Sequence, residues 1–267
     1  FGRALVPGPL VSQFAAIEAL VSVEEFNGRT ALLEQALEGS IIATSIVATQ
    51  NRADPIIDAD HASHLILAHA DQLVLYTSDE GLKNLVSRQT WDETRRLFEV
   101  SFPPTSAGVI IAKGDKAAQI RERMHIAQLF ALAGDSLGGA DAVLTMTMDY
   151  LKARRQFDRP LALFQALKHR VADLRVALST ADALYWKRAD HSTSLVEMGS
   201  LKAHACDVFK TIAEEAIQLH GGIGLTVEYP CHLFLKRAFL NAALCGDSDH
   251  WKQVAGQQNL DVSSRRH

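Results

Sequence analysis

Long helical segments dominate the second half of the sequence, and they constrain the fold more than any other feature. From residue 117 onward, apolar residues recur at three- and four-residue spacing, which is typical of amphipathic helices. The predicted helices cover Lys116–Arg155, Phe164–His191, Ser194 to Gly221-Gly222, Tyr229–Leu244 and a last segment after Asp247. A capping box of Ser194 and Glu197 marks the start of the third helix, and paired glycines end it. Four or five long amphipathic helices of this kind predict an antiparallel bundle.

The first half of the sequence has a different pattern. Residues 1–38 indicate two helices, with regular apolar spacing at Leu10–Ala19 and Arg29–Leu37. Short β-branched or alternating runs follow at Ser40–Ala48, His64–Tyr76, Phe98–Phe102 and Val109–Ala112. They predict a small β-domain of roughly four to six strands. The expected class is therefore α+β and mainly α, with a helical remnant at 1–38, a β-domain at 39–115 and the bundle at 116–267. An abrupt junction at Gln50–Pro55 suggests that segments are missing.

Composition argues against several classes of function. The net charge is −4, and acidic and basic residues are interspersed, so no basic face for nucleic acid is expected. No apolar run reaches the roughly 18 residues that span a bilayer, which predicts a cytoplasmic protein without a membrane partner. Cys206, Cys231 and Cys245 lie far apart, without the spacing of a metal site. They are expected to be buried, reduced thiols.

A cluster of small residues occurs in the first bundle helix, at Gly134, Gly138, Gly139 and Ala140. Small side chains let a neighbouring backbone approach closely. Two interpretations stay open for this cluster. It allows either tight packing inside the bundle or contact with another subunit.

The stretch Arg154–Gln165, with the sequence RRQFDRPLALFQ, follows that helix directly. A guanidinium is permanently charged and can bind two oxygens at once, so it suits a pyrophosphate. A nearby aromatic ring and a glutamine side chain suit a nucleotide. On its own, however, an arginine pair at a helix end more often compensates the helix dipole than binds a ligand.

A second stretch, Gln218–Pro230, reads QLHGGIGLTVEYP. Glycines at 221, 222 and 224 allow a tight turn and let main-chain amides come close to a ligand. Taken alone, Gly221-Gly222 is more often a helix stop than a phosphate site.

In this order and at this separation, the two stretches resemble the acyl-CoA dehydrogenase family. Family members read R-[KR]-[QT]-F-G-x(6)-Q in one place and Q-x-x-G-G-x-G-[FY]-x-x-E-Y-P in the other. The resemblance covers residues 117–258 well and the upstream regions more loosely. It implies a central β-domain and a C-terminal four-helix bundle that bind FAD between subunits. Most of the family's N-terminal helical domain has no counterpart in this chain.

The resemblance also implies which residues face the cofactor. The expected FAD contacts, reaching a neighbouring subunit's flavin, are Arg154, Gln156, Phe157, Gln165, Gln218, Gly221 and Gly222. Asp158 departs from the pattern, because the family usually has glycine there and a carboxylate is unfavourable beside a pyrophosphate. The family's flavin-ring contacts in the β-domain have no clear match in this chain.

The family's chemistry also requires a carboxylate base, which removes the proton α to the thioester. At the two positions where family members carry this glutamate, alignment places Gly246 and Gln128. Neither residue can accept the proton. Asp247 and Asp249 lie nearby, but a shorter and displaced carboxylate is expected to miss the required geometry. The resemblance therefore implies no catalytic base in this chain.

These observations predict a base-less subunit of an FAD-dependent acyl-CoA dehydrogenase. The expected partners are an acyl-CoA substrate, an electron-transfer acceptor protein, and a homologous subunit carrying the catalytic glutamate in a heterotetramer. Some actinobacterial family members that act on steroid side-chain thioesters are built this way, and residues 246–250 resemble their C-terminal turn. Two alternatives remain. One is a self-sufficient homo-oligomeric dehydrogenase, and the other is a flavin-free scaffold.

Overall fold

A computed structural model describes residues 1–47, 52–101, 107–189 and 193–264 and groups the chain into two compact units. One unit is Pro7–Ala131, and the other combines Phe1–Val6 with Leu132–His267. The predicted α+β class is confirmed, since a small β region precedes a set of long helices. The predicted domain boundaries after residues 38 and 115 stay predictions.

The unit Pro7–Ala131 contains two packed sheets and three helices, together with the first turns of a fourth. Its elements are α1 (Leu10–Ser22), α2 (Arg29–Leu37), β1 (Ile42–Ile46), β2 (Arg52–Ile57), β3 (His64–Ala68), β4 (Gln72–Thr77), α3 (Ser78–Gly81), β5 (Leu85–Arg88), β6 (Leu97–Ser101), β7 (Val109–Lys113) and the start of α4 (Gly114–Ala153). Four strands form one sheet in the order β1-β3-β4-β7, with β1 parallel to β3, and a second sheet has the order β2-β6-β5.

Both faces of the four-stranded sheet are buried, which explains why strand β3 has a continuous apolar sequence. Ile66 points toward α1, α2 and α4 and packs in one core cluster with Leu20 and Ile120. Its neighbours Leu65 and Leu67 point the other way. Their core cluster includes Ile56, Phe98 and Val100 of the second sheet.

The strand count was underestimated from the sequence. The run His64–Tyr76 is not one strand but two, because the chain reverses direction and β3 pairs antiparallel with β4. Strands β2 and β5 were missed altogether, since Pro55 and the polar residues of Leu85–Arg88 hide their pattern. Four predicted features fall wholly or partly outside the described residues: the end of the first run at Ala48, the junction at Gln50 and Asn51, Phe102, and His191.

The unit with Leu132–His267 is helical. Its elements are the remainder of α4, β8 (Arg155–Gln156), β9 (Arg159–Pro160), α5 (Gln165–Ala189), α6 (Leu195–His220), α7 (Cys231–Ala243) and α8 (Ser248–Ser264), with short 3₁₀ turns at Gly2–Ala4, Leu161–Leu163 and Gly221–Leu225. Helix α6 packs against α5, α7 and α8. The predicted capping box is confirmed, because Ser194 accepts the amide of Glu197 and the Glu197 side chain accepts the amide of Ser194.

The glycines of α4 are used for packing within this chain. A Cβ on Gly134 would lie 2.7 Å from the Tyr185 hydroxyl, and one on Gly139 would lie 2.5 Å from the Phe209 ring. At Gly138 the neighbour is the backbone of Arg3, at 3.1 Å. The three glycines therefore serve close packing in their own unit, which is the first of the two interpretations.

A buried ion pair connects α4 to α7. The side chains of Asp135 and Arg237 are both fully buried, with 3.1 Å between Nη1 and Oδ2. Asn241 donates a second hydrogen bond to the same carboxylate at 2.9 Å. The Asn241 amide also donates to the hydroxyl of Ser136, the residue after Asp135, at 3.1 Å. These bonds fix the position of α7 along α4.

One helix is long and apolar enough to cross a membrane when only length and composition are considered. In α4 an 18-residue window has a mean hydropathy of 1.2, and 61% of that window is buried inside the protein. No uninterrupted apolar run reveals this window in the sequence, because Asp135 and Asp141 divide the apolar part of α4. Its burial is typical of a core helix.

Candidate functional site

The first predicted stretch begins with a β-hairpin at the end of α4, and the turn of this hairpin has two residues. Strands β8 and β9 pair antiparallel, and Phe157 and Asp158 connect them with φ of 51° and 62°. Two consecutive left-handed residues are the mark of a type I′ turn. The guanidinium of Arg155 donates to the carbonyl oxygen of Asp158 at 2.7 Å and so holds the turn closed.

Residues before and within this turn are exposed to solvent. Arg154 and Gln156 are exposed, and the Phe157 side chain is 84% exposed. The Phe157 ring meets Phe164 edge-on, with 6.2 Å between centroids. Arg159 lies over the face of the same Phe164 ring, with its guanidinium carbon 3.9 Å from the centroid. The hairpin therefore has a second cation, Arg159, close to the turn, which was not predicted from the sequence. Arg159 pairs with Gln156 across the hairpin, so recognising the hairpin would have indicated it.

The second predicted stretch starts where α6 ends. Gly221 has φ 67° and ψ −145°, a conformation open essentially to glycine alone, and its amide bonds back to the carbonyl oxygen of Gln218. Gly224 is required for packing, since a Cβ there would lie 2.9 Å from the Ile217 carbonyl oxygen. Gly222 is different: a Cβ there would meet nothing within 4 Å. The chain's own packing therefore does not require glycine at 222, and its bare backbone is open to an external group.

Three aromatic rings, which we call the aromatic clasp, bring the two stretches together. The His220 ring stacks on Tyr150 with 4.3 Å between centroids, and the Tyr229 ring centroid lies 4.7 Å from that of His220. The Tyr150 hydroxyl donates to the carbonyl oxygen of His220 at 3.2 Å. Tyr150 lies one helical turn before Arg154, whose amide bonds to the Tyr150 carbonyl oxygen, and His220 immediately precedes Gly221. The hairpin and the glycine turn are thus neighbours in one unit.

Burial decides the protonation of the groups beside the clasp. It lowers the pKa of His220, and the Nδ1 of that ring lies 2.8 Å from the Ala216 carbonyl oxygen, so the neutral ring donates there. Burial also raises the pKa of the Cys231 thiol to about 11. With a protonated thiol 3.5 Å from His220, the pair is not an activated nucleophile.

All seven predicted cofactor residues are exposed. Within the part of the chain that the structure describes, no side-chain hydrogen bond is made by Arg154, Gln156, Gln165 or Gln218. Gln165 is the first residue of α5, and Gln218 lies in the last turn of α6. An unpaired cation, several free amides and an open glycine backbone are groups that could bind an external anionic ligand.

The structure also describes both positions where a base was sought. Gly246 has φ 89°, and a Cβ there would lie 2.6 Å from the His250 ring and 2.9 Å from the Trp251 indole nitrogen. Buried Lys202 donates to the carbonyl oxygens of Ala242, Leu244 and Gly246 at 2.9, 2.6 and 2.7 Å. The turn is therefore rigid, with little room for a longer side chain at 246.

The remaining candidates for a base have other surroundings. The Asp247 carboxylate accepts the amide of His250 at 2.8 Å and caps helix α8, while Asp249 is exposed. Gln128 is buried and donates to the Thr44 hydroxyl at 3.5 Å within the unit Pro7–Ala131. Within the described ranges, no cluster of three or more His, Cys, Asp or Glu side chains could hold a metal ion.

Comparison with known proteins agrees with this fold. The acyl-CoA dehydrogenase C-terminal domain matches residues 121–258. Acyl-CoA dehydrogenase IpdE2 of Mycobacterium tuberculosis is 34% identical over 248 residues, which cover 91% of this chain and 70% of that protein. The chain therefore belongs to the acyl-CoA dehydrogenase family.

Solved structures share its fold. A variant of the steroid ACAD Tcur3481-Tcur3483 superposes with a TM-score of 0.82 at 22% identity, covering 98% of this chain and 79% of that one. Butyryl-CoA dehydrogenase from Megasphaera elsdenii has a TM-score of 0.80 at 19% identity, covering 92% and 75%. FAD is the cofactor expected for this family, and the open Gly222 backbone and the free Arg154 guanidinium fit its pyrophosphate.

The strained hairpin leads to a testable prediction. An L-residue in the left-handed region costs roughly 1–2 kcal/mol, less for aspartate. Asp158→Gly should therefore keep the hairpin and raise the free energy of unfolding by up to about 1 kcal/mol, as measured by urea denaturation. Asp158→Ala is the matched control, because it removes the same carboxylate but keeps a Cβ in the left-handed region; it should be destabilising. Equal stability of the two variants would contradict the assigned turn.

Proposed function

We propose that this chain is a subunit of an FAD-dependent acyl-CoA dehydrogenase that forms an α,β double bond in an acyl-CoA thioester. In this proposal it donates cofactor-binding groups to a flavin held mainly by a homologous, glutamate-bearing partner. The observation that carries the division of labour is Gly246, where a positive φ and the neighbouring rings of His250 and Trp251 leave little room for a glutamate side chain.

The binding role follows from which groups are free. The Arg154 guanidinium can form charge-assisted hydrogen bonds with a pyrophosphate. The amides of Gln156 and Gln165 can donate to its ester oxygens or to the nucleotide. The amides around Gly222 can approach closely because no side chain covers them. Asp158 is the unfavourable element. Two nearby guanidinium groups, on Arg154 and Arg159, outweigh its charge. When bound, FAD supplies the acceptor for the hydride that leaves the β-carbon.

The catalytic proton transfer is assigned to the partner. In this chain Asp247 is engaged as a helix cap, and Gln128 is a neutral amide. A self-sufficient enzyme would need Asp247, Asp249 or another carboxylate to act as base, whereas a scaffold would not need a free Arg154 and an open Gly222. We therefore favour the shared site over both alternatives.

The substrate class is proposed from relatives. One similar structure is described as a steroid ACAD, and IpdE2 is described as an acyl-CoA dehydrogenase. Together they support a bulky, polycyclic acyl-CoA as substrate. An electron-transfer protein would then reoxidise the flavin, and the cytoplasm is the expected compartment.

The composition of the assembly tests this proposal. A complex purified from native cells through a tag on this chain should contain two copies of it, two copies of a longer homologue and two FAD. Light scattering, mass spectrometry and flavin absorbance measure these quantities. A homotetramer of this chain with four flavins would contradict the shared site.

The lone chain should show no oxidation of any acyl-CoA above background, even with added FAD and an artificial acceptor. Loss of a general base typically costs about 10²–10⁴ in rate, so the difference is easily measured. Gly246→Glu should not restore turnover, because the new side chain would collide with His250. Turnover that Asp247→Asn abolishes would instead identify a self-sufficient enzyme.

Arg154→Ala should lower the flavin content of the complex while the bundle stays folded. A charge-assisted hydrogen bond contributes about 1.5–3 kcal/mol, equivalent to roughly ten- to hundredfold in affinity. Arg175→Ala is the matched control, since Arg175 is an exposed arginine of α5 already paired with Asp141 at 3.0 Å. If both variants keep the wild-type flavin content, Arg154 is only a surface cation at a helix end.

A further inference from the structure

The two halves of the proposed flavin-binding surface come from separate parts of the sequence, and each half is short. The hairpin follows the last turn of α4, and the glycine turn follows the last turn of α6. Neither half can bind a dinucleotide productively unless the other is held at the right distance. Binding groups generally must stay within about 0.5 Å of their working positions.

We propose that Tyr150, His220 and Tyr229 of the aromatic clasp are positioning residues that set this distance. The inference rests on the proposed function and deepens it. The Tyr150 hydroxyl bonds the His220 carbonyl oxygen at 3.2 Å, so the end of α4 is tied to the backbone just before Gly221. Tyr229 contacts both of the other rings, and its ring is edge-on to Tyr150 with 5.8 Å between centroids.

The central ring of the clasp is locked in orientation. His220 is 3% exposed, and its Nδ1 donates to the Ala216 carbonyl oxygen at 2.8 Å, one turn back along α6. The imidazole stacks on Tyr150 with 26° between the ring planes. This contact fixes the orientation of the end of α4 relative to the glycine turn. An aliphatic side chain of similar size would fill the volume without fixing that relative orientation.

Tyr229 connects the clasp to the next helix. It lies immediately before Pro230, the N-cap of α7, and its amide bonds the carbonyl oxygen of Thr226. The backbone from Gly221 to Tyr229 is thus held at both ends by rings of the clasp. In this proposal Gly222 is positioned by the backbone that the clasp holds on either side of it.

The clasp can be tested with pairs of variants that separate positioning from core filling. In the tagged complex from native cells, His220→Leu should release FAD roughly three- to tenfold more readily than wild type. His220→Phe keeps a flat ring but loses the Nδ1 hydrogen bond, so it should release FAD less readily than His220→Leu. Tyr150→Phe, which removes only the hydroxyl, should weaken retention by about the same factor. Flavin absorbance after gel filtration measures retention, and circular dichroism checks that each variant is folded.

Tyr185→Phe is the control for loss of a hydroxyl, because Tyr185 lies on α5 and packs against Gly134. It should leave flavin content unchanged. Equal flavin retention in His220→Leu and wild type, or equal loss in the leucine and phenylalanine variants, would overturn the positioning role. Arg154→Ala separates failure of the proposed function from failure of the clasp inference. If Arg154→Ala and His220→Leu both retain all flavin, the proposed function fails. If Arg154→Ala loses flavin and His220→Leu does not, only the clasp inference fails.

Discussion

The fully buried ion pair between Asp135 and Arg237 is the interaction on which the helical unit depends. It fixes α4 against α7, and Asn241 satisfies a further position on the same carboxylate. Loss of one partner of such a pair typically costs about 3–5 kcal/mol, because the other charge stays buried without compensation. Since α4 leads into the hairpin and α7 follows the glycine turn, the same pair also determines where the candidate site is built.

Around that framework, adjacent residues of similar chemistry have different roles. Arg155 closes the hairpin turn by bonding the Asp158 carbonyl oxygen, whereas its neighbour Arg154 makes no side-chain hydrogen bond among the described residues. Gly224 is needed for close packing, whereas Gly222 is open. In each pair one residue builds the scaffold and the other is available to a ligand, which is why neither motif could be interpreted from residue type alone.

The turn after α7 shows the opposite situation. Lys202 binds three of its carbonyl oxygens, Trp251 donates to Cys245, and Asp247 caps the following helix. Burial lowers the pKa of the Lys202 ammonium, but the three carbonyl acceptors hold it in place. Where family members carry a catalytic glutamate, this chain has a closed, internally bonded turn. The proposed binding surface without its own base would account for both features.

How much the sequence alone determined differs between the parts of the molecule. The helices, the capping box at Ser194 and the two motifs were predictable, because helical periodicity, capping chemistry and glycine conformations are local properties. The β region was only partly predictable: β2 and β5 gain their stability from pairing with β6, which no local pattern reveals. Tertiary structure alone decided that the glycines of α4 pack within the chain and that Arg159 stacks on Phe164. It also decided that Tyr150 and His220, 70 residues apart, join the two motifs. Those outcomes depend on contacts between distant segments, and such contacts exist only once the chain has folded.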